Sequence, residues 1–100
     1  MAKGYWVARV DVNSDDGYKP YAAANQAIFK KHGARYVVRG GKFENPEGTS
    51  RKRNVVIEFP SYQAALDCYN SPEYQANIKV RQPHSVIDIV IIEGYDGAQP

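Results

Sequence analysis

The chain has 100 residues, one domain's worth, with 43% hydrophobic and 24% charged residues, an ordinary globular composition that argues against disorder. The formal net charge of +2 is too small to imply nucleic acid or a membrane surface by itself, and the one cysteine, Cys68, excludes an internal disulfide or a zinc cage. The longest apolar run, Ile89–Ile92, is too short to cross a bilayer, and Met1–Arg9 lacks the apolar core of a signal peptide, so a cytoplasmic location is expected.

Tyr5–Val12 alternates, with Trp6, Ala8, Val10 and Val12 on one face and Tyr5, Val7, Arg9 and Asp11 on the other, and reads as the first strand. Asn13–Gly17 is a turn with helix-capping residues, and the helix after it runs to about His32. Gly33 ends that helix as a left-handed cap, and Pro20 belongs in its first turn, where a missing N–H costs least. Tyr18, Tyr21, Ala22, Asn25, Ile28 and Phe29 form its buried stripe. Arg35–Arg39 is the second strand, closed by Gly40-Gly41, with Tyr36 and Val38 on one face and Arg35, Val37 and Arg39 on the other. Lys42–Arg53 is a polar connection with a turn at Asn45-Pro46-Glu47-Gly48; its Arg51-Lys52-Arg53 run reads first as a solvated tip, with a phosphate-binding patch as the minority reading. Asn54–Phe59 is the third strand, stopped by Pro60. Ser61 caps one helical piece and Ser71-Pro72-Glu73 starts another, which Pro83 stops near Gln82. Val86–Glu93 is the last strand, and Gly94–Pro100 a loose tail.

The order βαββαβ implies one α+β domain over residues 1–100 of ferredoxin-like build: a four-stranded antiparallel sheet, in the order 4-1-3-2, with its helices on one face. Trp6, Val10, Tyr36, Val38, Ile57, Phe59, Ile89 and Ile91 should lie under the helices. The opposite face mixes Val7, Val37, Val56, Val90 and Ile92 with Tyr5, Arg9, Arg39, Glu58 and Asp88. So much bare Val and Ile would be an exposed apolar patch, and a second subunit is the simplest cover. RNA-recognition domains share this strand order, but the open face of the third strand offers Asn54, Val56 and Glu58 and no stacking aromatic, so nucleic acid is not expected as a partner.

The run Val56-Ile57-Glu58-Phe59-Pro60-Ser61, with Ala65, Tyr69, Ser71, Glu73-Tyr74-Gln75 and Arg81, resembles a bacterial family, domain-of-unknown-function family thirteen-thirty. Arg39-Gly40-Gly41, Glu47-Gly48 and Glu93-Gly94-Tyr95 extend the likeness across nearly the whole chain. One departure is Cys68, where relatives often carry Trp before the Tyr. The resemblance implies a dimeric α+β barrel, in which two ferredoxin-like subunits press their open sheet faces together. That superfamily includes cofactor-free monooxygenases, small isomerases, haem enzymes and regulatory ligand-binding domains. Fold and dimerisation transfer from it better than chemistry.

Arg39, Glu58, Arg9 and Asp88 stand as charges on an otherwise apolar face. They are either ion pairs fixing register between subunits or the wall of a pocket where an arginine fork receives an anion and Glu58 acts as base or acceptor. Ser71, Tyr74 and Arg81 match the family motif and are candidate ligand contacts; Ser71 also reads as a helix cap, and Tyr74 as core. His32 and His84 have no partner at metal-ligand spacing, and Cys68 reads as a small core residue, so neither a metal nor a cofactor is expected. Two functions stay open. One is a homodimeric small-molecule-binding protein, a cofactor-independent enzyme of monooxygenase or isomerase type. The other is a non-catalytic ligand-sensing or scaffold dimer whose barrel charges are structural.

Overall fold

The computed structural model describes residues 2–100; of the Met1–Arg9 stretch, only Met1 lies outside them. The elements are β1 (Gly4–Val12), α1 (Asp15–Lys31), β2 (Arg35–Arg39), β3 (Arg53–Phe59), α2 (Tyr62–Asn70), α3 (Pro72–Arg81) and β4 (Ser85–Glu93), with a short 3₁₀ turn at Gln82–His84 before β4. The strands form one antiparallel sheet in the order β2-β3-β1-β4, the ferredoxin-like arrangement that the sequence implies.

Each helix starts where a serine can accept a hydrogen bond from a free N–H. Ser14 accepts from Gly17 at 3.2 Å, Ser61 from Ala64 at 3.0 Å and Ser71 from Tyr74 at 3.2 Å. Ser71 also donates its O–H to the Cys68 carbonyl at 2.7 Å, so one hydroxyl both ends α2 and begins α3. Gly33 takes φ +71° after α1, the left-handed cap expected of it. The start of α1 differs from expectation. Asp15 and Asp16 occupy the first turn behind the Ser14 cap, which makes Pro20 an interior helical residue. Gly17 is helical too, and a Cβ there would collide with the His84 ring.

The core lies between the sheet and the helices. Trp6, 1% exposed, is at its centre. Its ring meets Tyr74 at 4.8 Å, Phe59 at 5.1 Å, Phe29 at 5.4 Å and Tyr69 at 5.8 Å between centroids, mostly edge to face, and its indole N–H donates to the Ala65 carbonyl at 2.9 Å. Phe59, Ala65, Cys68 and Tyr74 are fully buried around it.

Strand β2 corrects one expectation. Tyr36 pairs with Ile57, but Val38 pairs with Val56 and Arg39 with Val55, so the ladder slips at Val37. Two residues of β2 there oppose one of β3, and the extra residue breaks the period of two. Val38 therefore joins the open face, 40% exposed, and Arg39 turns to the helix side with Tyr36. Across the open face the register aligns Val38, Val56, Val7 and Val90 in one row spanning all four strands. Charged rows flank it, Arg35, Glu58 and Tyr5 on one side and Arg9 and Asp88 on the other.

Candidate functional site

On the open face the charges are largely paired. Arg35 Nε donates to Glu58 Oε2 at 2.9 Å, and the Tyr5 hydroxyl donates to Glu58 Oε1 at 3.2 Å. Arg51 reaches over from the β2–β3 connection, its Nε 2.8 Å from Asp88 and its Nη1 2.9 Å from Asp11. The Lys52 amide donates to the other Asp11 oxygen at 2.9 Å. Arg51 is thus a clamp between two carboxylates, and the expected solvated tip is corrected at that residue. Lys52's amide and then Arg51 hold the Asp11 carboxyl below its usual range. Arg9 is exposed beside them with no carboxylate within 4.0 Å among the described residues. The expected approach of Arg39 to Glu58 does not occur: the slip at Val37 puts Arg39 on the opposite face, and Arg35 takes its place.

Behind the sheet, a cavity of about 50 Å³ lies between the strands and α1. Strand alternation aims Trp6, Val55 and Ile57 into it, and the helical stripe of α1 adds Tyr18, Tyr21 and Asn25. Tyr36, Arg39 and Arg53 close its β2 side. On the scale where one water needs about 10–15 Å³, it holds a few waters. A larger hollow of about 790 Å³ over Gly40–Glu44 is bordered by five consecutive loop residues alone and has no converging groups.

At the inner end the Tyr21 and Tyr74 hydroxyls share a 2.6 Å hydrogen bond. Arg81, 6% exposed, lies 5.5 Å from the Tyr21 ring centroid, and its Nε has no hydrogen-bond partner among the described residues. Burial works against the Arg81 charge, but the Tyr74 and Tyr21 hydroxyls outweigh it and its pKa is raised. Asn77 donates to Asn25 Oδ1 at 2.9 Å and to the Tyr21 carbonyl at 3.1 Å, tying α3 to α1 beside the cavity.

At the mouth, the Arg39 guanidinium stacks 4.1 Å from the Tyr36 ring centroid. Burial pushes the Tyr18 hydroxyl up to about 12 and raises that of Tyr36, where Arg39 and Arg53 oppose it. Burial first, and then Tyr21, also raises Tyr74. At neutral pH these tyrosines are therefore protonated donors. The lining contains no carboxylate and no histidine. The site is equipped to receive an anion, and has no group poised to remove a proton. No cluster of metal-ligating side chains occurs among the described residues, and none of their helices is long and apolar enough to cross a membrane.

Of the residues singled out from sequence, Arg39 and Tyr74 line this cavity and Arg81 lies behind it, whereas Arg9, Glu58 and Asp88 belong to the other face. Ser71 is the helix junction. Sequence reasoning missed Arg53, and it took Tyr18, Tyr21 and Asn25 for core. The available signal was Asn25, a polar side chain within an otherwise apolar stripe.

No curated protein matches this chain in sequence. Among solved structures, the RPA0582 protein of unknown function from Rhodopseudomonas palustris superposes with a TM-score of 0.68 at 18% identity, over 99% of this chain and 85% of that one. Its methylated form gives 0.75 at 15% identity with the same coverage. SnoaB, a cofactor-independent oxygenase from Streptomyces nogalater, gives 0.63 at 13% identity, over 100% of this chain and 97% of that one. These likenesses are of fold. The family model described as Domain of unknown function (DUF1330) matches residues 3–95, and the chain belongs to that family.

Proposed function

We propose that this is a cytoplasmic homodimer that binds a small organic molecule in the cavity between the sheet and α1 of each subunit. The observation that carries the ligand reading is the cavity itself: aromatic walls, hydroxyl donors at the inner end and, at the mouth, two arginines with no carboxylate within 4.0 Å among the described residues. Ligand sites are typically apolar hollows with a few converging polar groups. The dimer reading is supported by the valine row, since Val7, Val38 and Val90 are 37%, 40% and 58% exposed in the isolated chain. A lone cysteine, buried and free, suits a reducing compartment.

For activity we favour cofactor-independent oxygenase- or isomerase-type chemistry, supported by the likeness to SnoaB. Such a ligand must be acidic in its own right, because the lining supplies no base. A second reading, a non-catalytic scaffold or ligand sensor, is favoured by the pairing of the open-face charges, Arg35 with Glu58 and Arg51 with Asp11 and Asp88. Native mass spectrometry of protein purified without denaturation tests the proposal. A dimer carrying a small adduct, removed by Tyr74→Trp overfilling of the cavity, supports it. A dimer that never carries or accepts any small molecule supports the scaffold.

A further inference from the structure

Arg81 is buried in α3, yet no carboxylate lies within 4.0 Å of it among the described residues, and its Nε–H has no acceptor there. Buried charges are normally paired, because taking an ion out of water without a counterion is costly. The Tyr21 and Tyr74 hydroxyls ease that cost as dipoles, but they supply no negative charge, since burial keeps Tyr74 protonated. A positive charge is therefore left in the interior without a counterion.

The same two tyrosines border the cavity between the sheet and α1. Their hydroxyls share one hydrogen bond, which uses one of their two O–H protons. The second proton has no acceptor among the described residues, and Arg81 offers none, because a guanidinium is a donor only. Asn25 adds a further donor: its Oδ1 is taken by Asn77, which leaves its own amide N–H groups for the cavity it borders. Donors thus gather from α1 and α3 beside an unbalanced cation, and the lining has no carboxylate to meet them. Water would satisfy the donors and leave the charge unbalanced. A space of about 50 Å³, where one water needs about 10–15 Å³, has room for an ion little larger than a water molecule.

We propose that the inner end of the cavity binds a monovalent halide ion of chloride's size, which accepts from the free O–H of the Tyr21–Tyr74 pair and from Asn25 and neutralises Arg81 across the two hydroxyls. This goes beyond the organic-ligand reading and does not depend on it, since it concerns the inner end alone.

Trp6, the chain's one tryptophan and a wall of the same cavity, is the reporter. Bromide is close to chloride in size and quenches indole emission as a heavy atom. The purified chain is titrated with sodium bromide at an ionic strength held constant with sodium sulfate, and then with sodium chloride at fixed bromide. Trp6 is 1% exposed, so collisions with bulk bromide hardly reach it. Its emission should fall saturably with bromide and return as chloride displaces the bromide. Tyr74→Phe should weaken bromide about tenfold or more, the loss of one hydrogen bond to a charged group. Arg81→Met should abolish the saturable quenching, and Arg81→Lys should keep part of it. Quenching that is linear in bromide and untouched by chloride, or no quenching at all, overturns the proposal. Saturable quenching that Tyr74→Phe and Arg81→Met leave unchanged also overturns it, because the halide then sits elsewhere. Should those variants fail to fold, the competition between bromide and chloride in the unaltered chain decides alone. The search for an organic adduct by native mass spectrometry is a separate readout, so either reading can fail without the other.

Discussion

Arg81 is a cation at 6% exposure that faces tyrosine hydroxyls and an empty hydrogen-bonding position at Nε instead of a carboxylate. Burial works against that charge, but the Tyr74 and Tyr21 hydroxyls outweigh it, so the fold favours the charged guanidinium. Arg81→Met should therefore lower the thermal midpoint, while weakening any ligand that reaches the Tyr21–Tyr74 pair. An unchanged or higher midpoint would show that the guanidinium has no structural role. Phe59 belongs to the opposite class. It is fully buried against Trp6 and Phe29, and Phe59→Ala should cost about 3–5 kcal/mol in denaturant unfolding. An unchanged midpoint there would contradict the core described above. Burial pushes the Cys68 thiol up to about 12, so it stays protonated and inert at neutral pH. A thiol reagent should label it only after denaturation, and labelling at native rates would mean that α2 opens.

Among the elements, the β2–β3 connection is tied down by a single side chain, Arg51, acting on strands β1 and β4. Asp11 has a lowered pKa, so its contribution is complete above the unfolded value of about 4 and is lost as pH falls through the lower native one. Asp11→Asn should accordingly flatten the acid side of the stability profile, read as the thermal midpoint between pH 2 and 5. Equal slopes for both proteins would remove Asp11 from the clamp. This clamp was not legible in the sequence, because its partners lie 40 and 37 residues away and Arg51 stands in what reads locally as a polar tip. The strands and caps were legible, since alternation in Tyr5–Val12 and the serine-proline punctuation at Pro60-Ser61 and Ser71-Pro72 are written within a few residues. The face of Arg39 was not. A bulge depends on how β2 meets β3, and nothing inside Arg35–Arg39 announces it. Pro20 misled for a related reason: the Ser14 cap and two aspartates start the helix early enough to carry a proline in its interior.

The whole molecule is a slab, 43 × 36 × 16 Å, with a radius of gyration of 14.1 Å against about 13 Å for a compact chain of this length. One layer of helices on one sheet leaves the other sheet face without cover, and the valine row crosses it. Val90→Asp should give a folded monomer, because Val90 is 58% exposed within the chain and a charge there harms only a partner's approach. Sedimentation at micromolar concentration should show a dimer for the unaltered chain and a monomer for the variant; identical behaviour of the two would place any interface elsewhere. The sheet is one residue thick, and β3 serves both sides of it. Arg53, Val55 and Ile57 border the cavity, while Asn54, Val56 and Glu58 build the open face. That arrangement dictates where the chain can change length. One residue inserted between Val55 and Val56 would exchange the two sets and spoil the cavity and the valine row together. One inserted within Lys42–Gly48, all exposed, should disturb neither. Val37 is an insertion of this kind already present, absorbed because β2 is an edge strand with a partner on only one side.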